Sequence, residues 1–163
     1  MSPGRRQANG LGFAASAVAL AFALYSQYGL GLAPCHLCIF QRVEVAALGL
    51  VFLAAALHHP GRTGARVYGT LIALIAAATA VTAGRHVWIQ MQPPGSVPGC
   101  GADLDFMLDV MPFWEVVLKV FQAGGECAEI DWTFLGLSMP GWGLVFALVV
   151  GGFGAWANWR RGA

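Results

Sequence analysis

Cys35-His36-Leu37-Cys38-Ile39-Phe40-Gln41-Arg42 sets two thiols three residues apart at the mouth of an apolar run, with an arginine four residues past the second. Pro34 just before suits the first turn of a helix. On that helix Cys38 and Arg42 share one face, one turn apart. A thiol so placed has two reasons to ionise, the helix N-terminus and the guanidinium. The thiolate is the form that attacks disulfides, binds metals or meets an electrophile. An arginine inside an apolar run of membrane length is costly and marks a functional position. The stretch therefore reads as a reactive dithiol at the edge of a membrane helix.

Composition agrees. The 163 residues are 58% hydrophobic and only 10% charged, with a mean hydropathy of +0.65. Soluble domains carry roughly 25% charged residues, so this is a membrane protein. Its length suits one membrane domain, 1–163. A net charge of +1 makes no case for a nucleic-acid partner. Apolar runs cover about 11–32, 39–57, 67–89 and 139–159, each near the roughly 20 residues that cross a bilayer. Arg5 and Arg6 ahead of the first run raise a secretory signal as a rival reading. That run exceeds the roughly 7–15 residues of a signal core, and Pro34 follows the candidate cleavage region. A retained helix is expected.

Charge then orients the chain. Arg5/Arg6, Arg62/Arg66 and Arg160/Arg161 form three basic clusters, which the positive-inside rule assigns to the cytoplasm. Only four spans put all three on one side, so the fold class is all-α, a bundle of four transmembrane helices. The segment of about 90–138 then lies on the outer side, away from the cytoplasm. It holds Asp103, Asp105, Asp109, Glu115, Glu126, Glu129 and Asp131, seven of the eight acids, the eighth being Glu44 beside the dithiol. All four cysteines fall in outer segments or at their edges. Within the long segment, Pro- and Gly-rich residues 92–99 lead to Cys100. Pro112 to Gln122 has apolar residues at helical spacing, with Glu115, Lys119 and Gln122 opposite. It reads as a short interfacial helix lying flat on the membrane; the plainer alternative is a helix packed on the bundle top.

Four thiols on the oxidising side of a membrane should pair. Cys35 and Cys38 are natural partners, which leaves Cys100 with Cys127. A structural bridge suits the second pair, since closing its loop stabilises by about 3.5 kcal/mol through chain entropy. It suits the first badly, because so short a loop gains little and CxxC disulfides are reactive. Zinc is the competing chemistry, but a single CxxC lacks the paired spacing of zinc ribbons. Covalent haem needs a histidine after the second cysteine, and Ile39 stands there. His36 either tunes a thiol or is a polar loop residue. An electron acceptor without a soluble domain points to a membrane quinone. That requires an apolar slot, a thiolate and a cation for the developing oxyanion. Cys38 and Arg42 supply the last two. His86, at the outer end of the third run, is a candidate for a proton or hydrogen bond, or a helix-end histidine facing headgroups.

The stretches from Pro34 to Arg42 and from Cys127 to Pro140 (Cys-Ala-Glu-Ile-Asp-Trp-Thr-Phe-Leu-Gly-Leu-Ser-Met-Pro), with Cys100 and the four-span layout, resemble the DsbB family. Its members are quinone-linked membrane oxidases that regenerate the periplasmic dithiol oxidant DsbA. The resemblance implies that Cys35–Cys38 passes electrons to quinone, ubiquinone or menaquinone, with Cys38 next to the ring. It implies quinone contact for Arg42, a nearby place for His86, and a tryptophan at the pocket in Trp132. Cys100–Cys127 resembles the pair that oxidises a DsbA-like thioredoxin-fold partner, with Cys100 carrying the mixed disulfide. Gln41 departs from the glutamate of the best-known member, which puts a carboxylate role there in doubt. The expected activity is protein-dithiol:quinone oxidoreductase in the bacterial inner membrane, with both termini cytoplasmic. Rival readings are a DsbB paralogue with a dedicated partner, a relative of vitamin K epoxide reductase (whose cysteine pairs come in the reverse order), and a non-enzymatic membrane protein with structural disulfides.

Overall fold

A computed structural model describes residues 4–93, 95–98, 102, 104–122 and 125–160. Its long helices are α1 (Arg5–Tyr28), α2 (His36–His58), α3 (Arg62–Gln90) and a fourth over Met139–Arg160. The fourth is built from α6 (Met139–Phe146), a π turn (Ala147–Gly151) and α7 (Gly152–Arg160). All four are long and apolar enough to cross a membrane, so the chain is a multi-pass helical membrane protein. Between α3 and α6 come α4 (Leu104–Val110), α5 (Phe113–Gln122), a 3-10 turn (Gly125–Cys127) and a hairpin of β1 (Thr133–Phe134) with β2 (Leu137–Ser138). The first helix stops at Tyr28, short of the apolar run's end. Gly29 caps it and Gly31 adopts a left-handed φ of 71°, a conformation that costs glycine nothing.

The bundle closes as a ring, α1 against α2, α2 against α3, α3 against α6 and α7, and α7 back against α1. Its side chains are arranged for lipid rather than water. Val18, Leu50, Leu74, Val81 and Leu148 point outward, while Gly12, Ser16, Gly49, Thr79 and Thr82 lie inside. Small residues let helix backbones approach where lipid removes the hydrophobic drive to associate. Phe52 exploits this. Its fully buried ring fills a notch between α1 and α7, so that a Cβ on Gly12 would stand 2.7 Å from it and one on Gly154 2.4 Å. One turn further along the same two helices, Asn9 and Asn158 exchange reciprocal amide hydrogen bonds of 3.2 and 2.7 Å, both side chains buried. Phe52→Ala should therefore cost about 3–5 kcal/mol of bundle stability through the cavity it leaves, read as a lower unfolding midpoint in detergent.

Above the ring, Leu37 and Ile89 form a second cluster with Met107 of α4, Val116 and Val120 of α5, and Cys127. Helix α5 thus rests on the bundle top through Val116 and Val120, while Phe113, Trp114 and Leu118 remain exposed. Arg85 on α3 fastens its end, donating from Nε to the Phe121 carbonyl at 3.0 Å and lying 4.3 Å over the Trp88 ring. Gly125 N–H donates to the Pro98 carbonyl at 3.1 Å, tying the Pro/Gly-rich lead-in to the turn that carries Cys127. This cover fixes where the last cysteine sits.

Candidate functional site

The dithiol lies where α2 begins. Cys35 is the N-cap, with extended backbone, and Cys38 stands in the first turn. Their sulfurs are 3.3 Å apart, beyond the ~2.05 Å of a disulfide, so the structure holds two thiols in contact. Both line a small pocket of about 70 Å³ with His86 and Cys127, and each also borders a space the other does not. Cys38 lines an apolar cavity of about 340 Å³ together with Gln41, Arg42 and Val45 of α2. Cys35 instead lines a larger outer cleft of about 1090 Å³ with His36, Asp105 and Glu126.

Aromatic rings and the hairpin wall the cavity. Leu135 and Gly136 both have positive φ, 51° and 80°, the two-residue turn that matches strand twist. That turn brings Phe134 back over the bundle. Trp132 sits 5.3 Å from the Phe22 ring and 6.1 Å from Phe134, and Phe134 is 6.0 Å from Trp142. Trp142 Nε1 donates to the Phe134 carbonyl at 3.0 Å, satisfying its one donor. Arg42 reaches α1, donating to the Ala23 carbonyl at 3.0 Å and to Gln27 Oε1. Its guanidinium is thereby held at the cavity wall, one turn below Cys38.

His86 lies elsewhere than the cavity. It is 2% exposed on α3, with Nε2 3.7 Å from Cys35 Sγ and Nδ1 3.1 Å from Gln41 Nε2. Gln41 donates to Nδ1, which leaves the proton of the neutral ring on Nε2, facing the thiol. Gln41 also lines the cavity, so one side chain touches both the histidine and the cavity wall. One turn deeper, Glu44 accepts from Thr82 Oγ1 at 2.8 Å, and its other oxygen is buried with no partner among the described residues.

Cys127 supplies the unexpected element. Cys127 comes from the outer segment yet stands beside the dithiol, 1% exposed, its sulfur within 4.8 Å of both Cys35 Sγ and His86 Nε2. Burial in the Leu37–Ile89–Val116 cluster holds it. So does a contact of 3.2 Å between His36 Nδ1 and Glu126 Oε2, each the residue next to a cysteine of the cluster. His36 is therefore a tie between the two loops. Cys100 lies outside the described residues, and with it the Cys100–Cys127 pairing.

Electrostatics separates Cys35 from the simple expectation for a thiol at a helix start. Contact with the Cys127 thiol, and then burial, push Cys35 up to about 12, while its contact with Cys38 pulls the other way. Cys35 is thus a protonated thiol at neutral pH. In the reduced protein its alkylation should be slow at pH 7 and climb only toward strongly alkaline pH. Cys127→Ala removes the first cause, so the Cys35 profile should move to lower pH. Peptide-level mass spectrometry of a timed alkylation series checks this, and an unmoved profile would mean the Cys127 contact does not act.

Of the residues singled out in the sequence, the fold brings Cys35, Cys38, His86 and Cys127 into one cluster, with Arg42 and Trp132 on the cavity beside it. The sequence reading missed Phe22, Gln27, Phe134 and Trp142. Two tryptophans, Trp132 and Trp142, flanking the Leu135-Gly136 turn were a visible signal for an aromatic wall.

Comparison with known proteins gives the family. The family model described as "Disulfide bond formation protein DsbB" matches residues 5–157. Relatives named "Disulfide bond formation protein B" include one from Methylococcus capsulatus, 47% identical over 92% of each chain. Another from Chromobacterium violaceum is 47% identical over 91% of this chain and 88% of its own. A third, from Nitrosococcus oceani, is 47% identical over 93% and 90%. Matched along nearly its whole length, with the dithiol, Cys127 and the four apolar helices, save residues 158–160, inside the matched span, the chain belongs to the DsbB family of disulfide bond formation proteins.

Proposed function

We propose that this protein takes two electrons from a periplasmic DsbA-like thioredoxin-fold dithiol and delivers them to a membrane quinone, ubiquinone or menaquinone. It thereby sustains disulfide formation. The cysteines face the periplasm and both termini the cytoplasm, as the three arginine clusters require. The observation that carries the reading is the divided dithiol, with Cys38 on the apolar cavity and Cys35 against Cys127. Electrons entering from outside reach the Cys100–Cys127 pair first, pass through Cys127 to Cys35, and then to Cys38.

Each exchange balances. The partner's thiolate attacks the Cys100–Cys127 disulfide at Cys100, forming a mixed disulfide and freeing the Cys127 thiol. The partner's second thiol then closes its own disulfide and frees Cys100. Cys127 next attacks Cys35 of the Cys35–Cys38 disulfide, releasing Cys38 as thiolate into the cavity wall. Cys100 attacks Cys127, restoring the outer disulfide and freeing Cys35. The dithiol finally gives two electrons and two protons to the quinone and returns to the disulfide. His86 Nε2–H, 3.7 Å from Cys35 Sγ, is placed to hand a proton to or from that sulfur. The aromatic walls suit a flat apolar ring. Arg42 at their edge supplies a fixed cation where negative charge develops on a quinone oxygen.

The test is a purified-protein assay in detergent with a reduced thioredoxin-fold dithiol protein and a soluble quinone analogue. Quinone absorbance should fall as one partner disulfide forms per quinone consumed. Partner oxidation without quinone loss would overturn the acceptor. No oxidation of any such partner would overturn the donor.

A further inference from the structure

Three soft donors converge where the dithiol meets the outer segment. Cys35 Sγ, His86 Nε2 and Cys127 Sγ all lie within 4.8 Å of one another. They come from three separate elements: the N-cap of α2, the outer part of α3 and the turn Gly125–Cys127. His86 and Cys127 are 2% and 1% exposed. We propose that the reduced protein binds one thiophilic divalent cation of the zinc type at Cys35, His86 and Cys127, and that this ion arrests it.

Geometry supports the assignment. A tetrahedral zinc with Zn–S of ~2.3 Å and Zn–N of ~2.0 Å holds sulfur and nitrogen about 3.5 Å apart. Cys35 Sγ and His86 Nε2 stand at 3.7 Å, so the ion needs shifts of tenths of an ångström there. Cys38 is different. Its sulfur lies 3.3 Å from Cys35 Sγ, closer than the roughly 3.8 Å between two sulfurs of one tetrahedron. Three protein ligands leave the fourth position to water, as in three-ligand zinc sites.

Charge supports it as well. Two thiolates and a neutral imidazole cancel a divalent cation, and a neutral assembly is the cheapest one to bury beside an apolar core. Binding is ligand exchange without electron transfer: the ion displaces the two thiol protons, which leave to solvent. Nε2 must then present its lone pair. Gln41, 3.1 Å from Nδ1, can turn its amide so that Oε1 accepts the Nδ1–H, the usual support of a metal-bound histidine. Entry is through the outer cleft, where Asp105, Glu126, Glu129 and Asp131 gather cations. The occupied site withholds both thiols that must exchange. A disulfide at either cysteine destroys it. Metal and oxidant therefore compete for the same sulfurs.

The experiment is a titration of the reduced, purified full-length protein with Co²⁺ and then Zn²⁺, with neither partner nor quinone present. Its outcome is thereby separate from that of the electron-transfer reading. One tetrahedral Co²⁺ per chain with thiolate charge-transfer bands is expected, displaced by Zn²⁺, with about two protons released per ion. The same protein, oxidised, should bind none. Cys127→Ser and His86→Ala should each weaken binding by about 100-fold or more, while Cys100→Ser keeps it. No ion on the reduced protein, an octahedral spectrum, undiminished binding in Cys127→Ser, or loss in Cys100→Ser would overturn the site. Should His86→Ala fail to fold, the oxidised protein and Cys127→Ser decide the matter.

Discussion

Cys127→Ser should bring quinone-dependent turnover down to background, at least about 1000-fold, while Cys35 and Cys38 still form their disulfide. Two functions disappear with one sulfur. The outer pair no longer has a disulfide to offer the partner. Cys35 also loses the outer-segment thiol that the structure sets within 4.8 Å of it. Cys100 remains as the sole outer thiol and should accumulate as a mixed disulfide with the soluble partner, since no cysteine beside it can displace that bond. Gel analysis of acid-trapped cells reads the mixed disulfide, and an oxygen-free quinone assay reads the turnover. Trapping by Cys100→Ser but not by Cys127→Ser would reverse the order of the two cysteines. Serine is nearly isosteric with cysteine, so the buried cluster around Leu37, Ile89 and Val116 should stay filled. The loss is chemical rather than structural.

Arg42→Met is the second large effect. An arginine serving only to join α1 to α2 would be felt in stability, through its bonds to Ala23 and Gln27. An arginine that also faces an oxyanion in the cavity would be felt in rate. Losing one such charge-assisted contact in a transition state costs about 2–4 kcal/mol, or roughly 30- to 1000-fold. Arg42→Met should therefore keep accepting electrons from its partner in a single turnover. Its quinone-dependent rate should fall by that factor, with a higher KM for quinone. Arg42→Lys should recover only part of the loss, because an ammonium keeps the charge but not the planar fork. A variant that melts earlier yet keeps wild-type quinone kinetics would reduce Arg42 to a tie between helices.

Much of this was legible in the sequence because membranes impose strong rules. Apolar length marks spans, and the four long helices stand where the apolar runs do. The spacing of Cys35, Cys38 and Arg42 along one helix put the thiol and the cation on a shared face, and both line the cavity. What one strand of text does not carry is which element lies over which. Nothing local in Phe134 or Trp142 says that a two-residue turn folds them over the bundle. Likewise, the proximity of Cys127 to Cys35 depends on α4 and α5 covering the bundle top, a tertiary event. For α5, Val116 and Val120 turn to the bundle and Phe113, Trp114 and Leu118 turn out, so amphipathicity alone could not say which side met what. His86 shows the same limit. Its place near the helix end was readable, but its choice of the Cys35 sulfur over the cavity was set by Gln41 and by the packing of α2 on α3.

The central claim is that electrons leave the protein from Cys38 into the cavity between α1, α2 and α6. A photoreactive quinone analogue tests it most directly, by mapping the crosslinked peptides of the detergent-purified protein with and without excess quinone. Labelling of the cavity wall, at Trp132, Phe134, Met139 or Trp142, that excess quinone suppresses is the result this account predicts. Competed labelling confined to another face of the bundle, with these residues untouched, would contradict it.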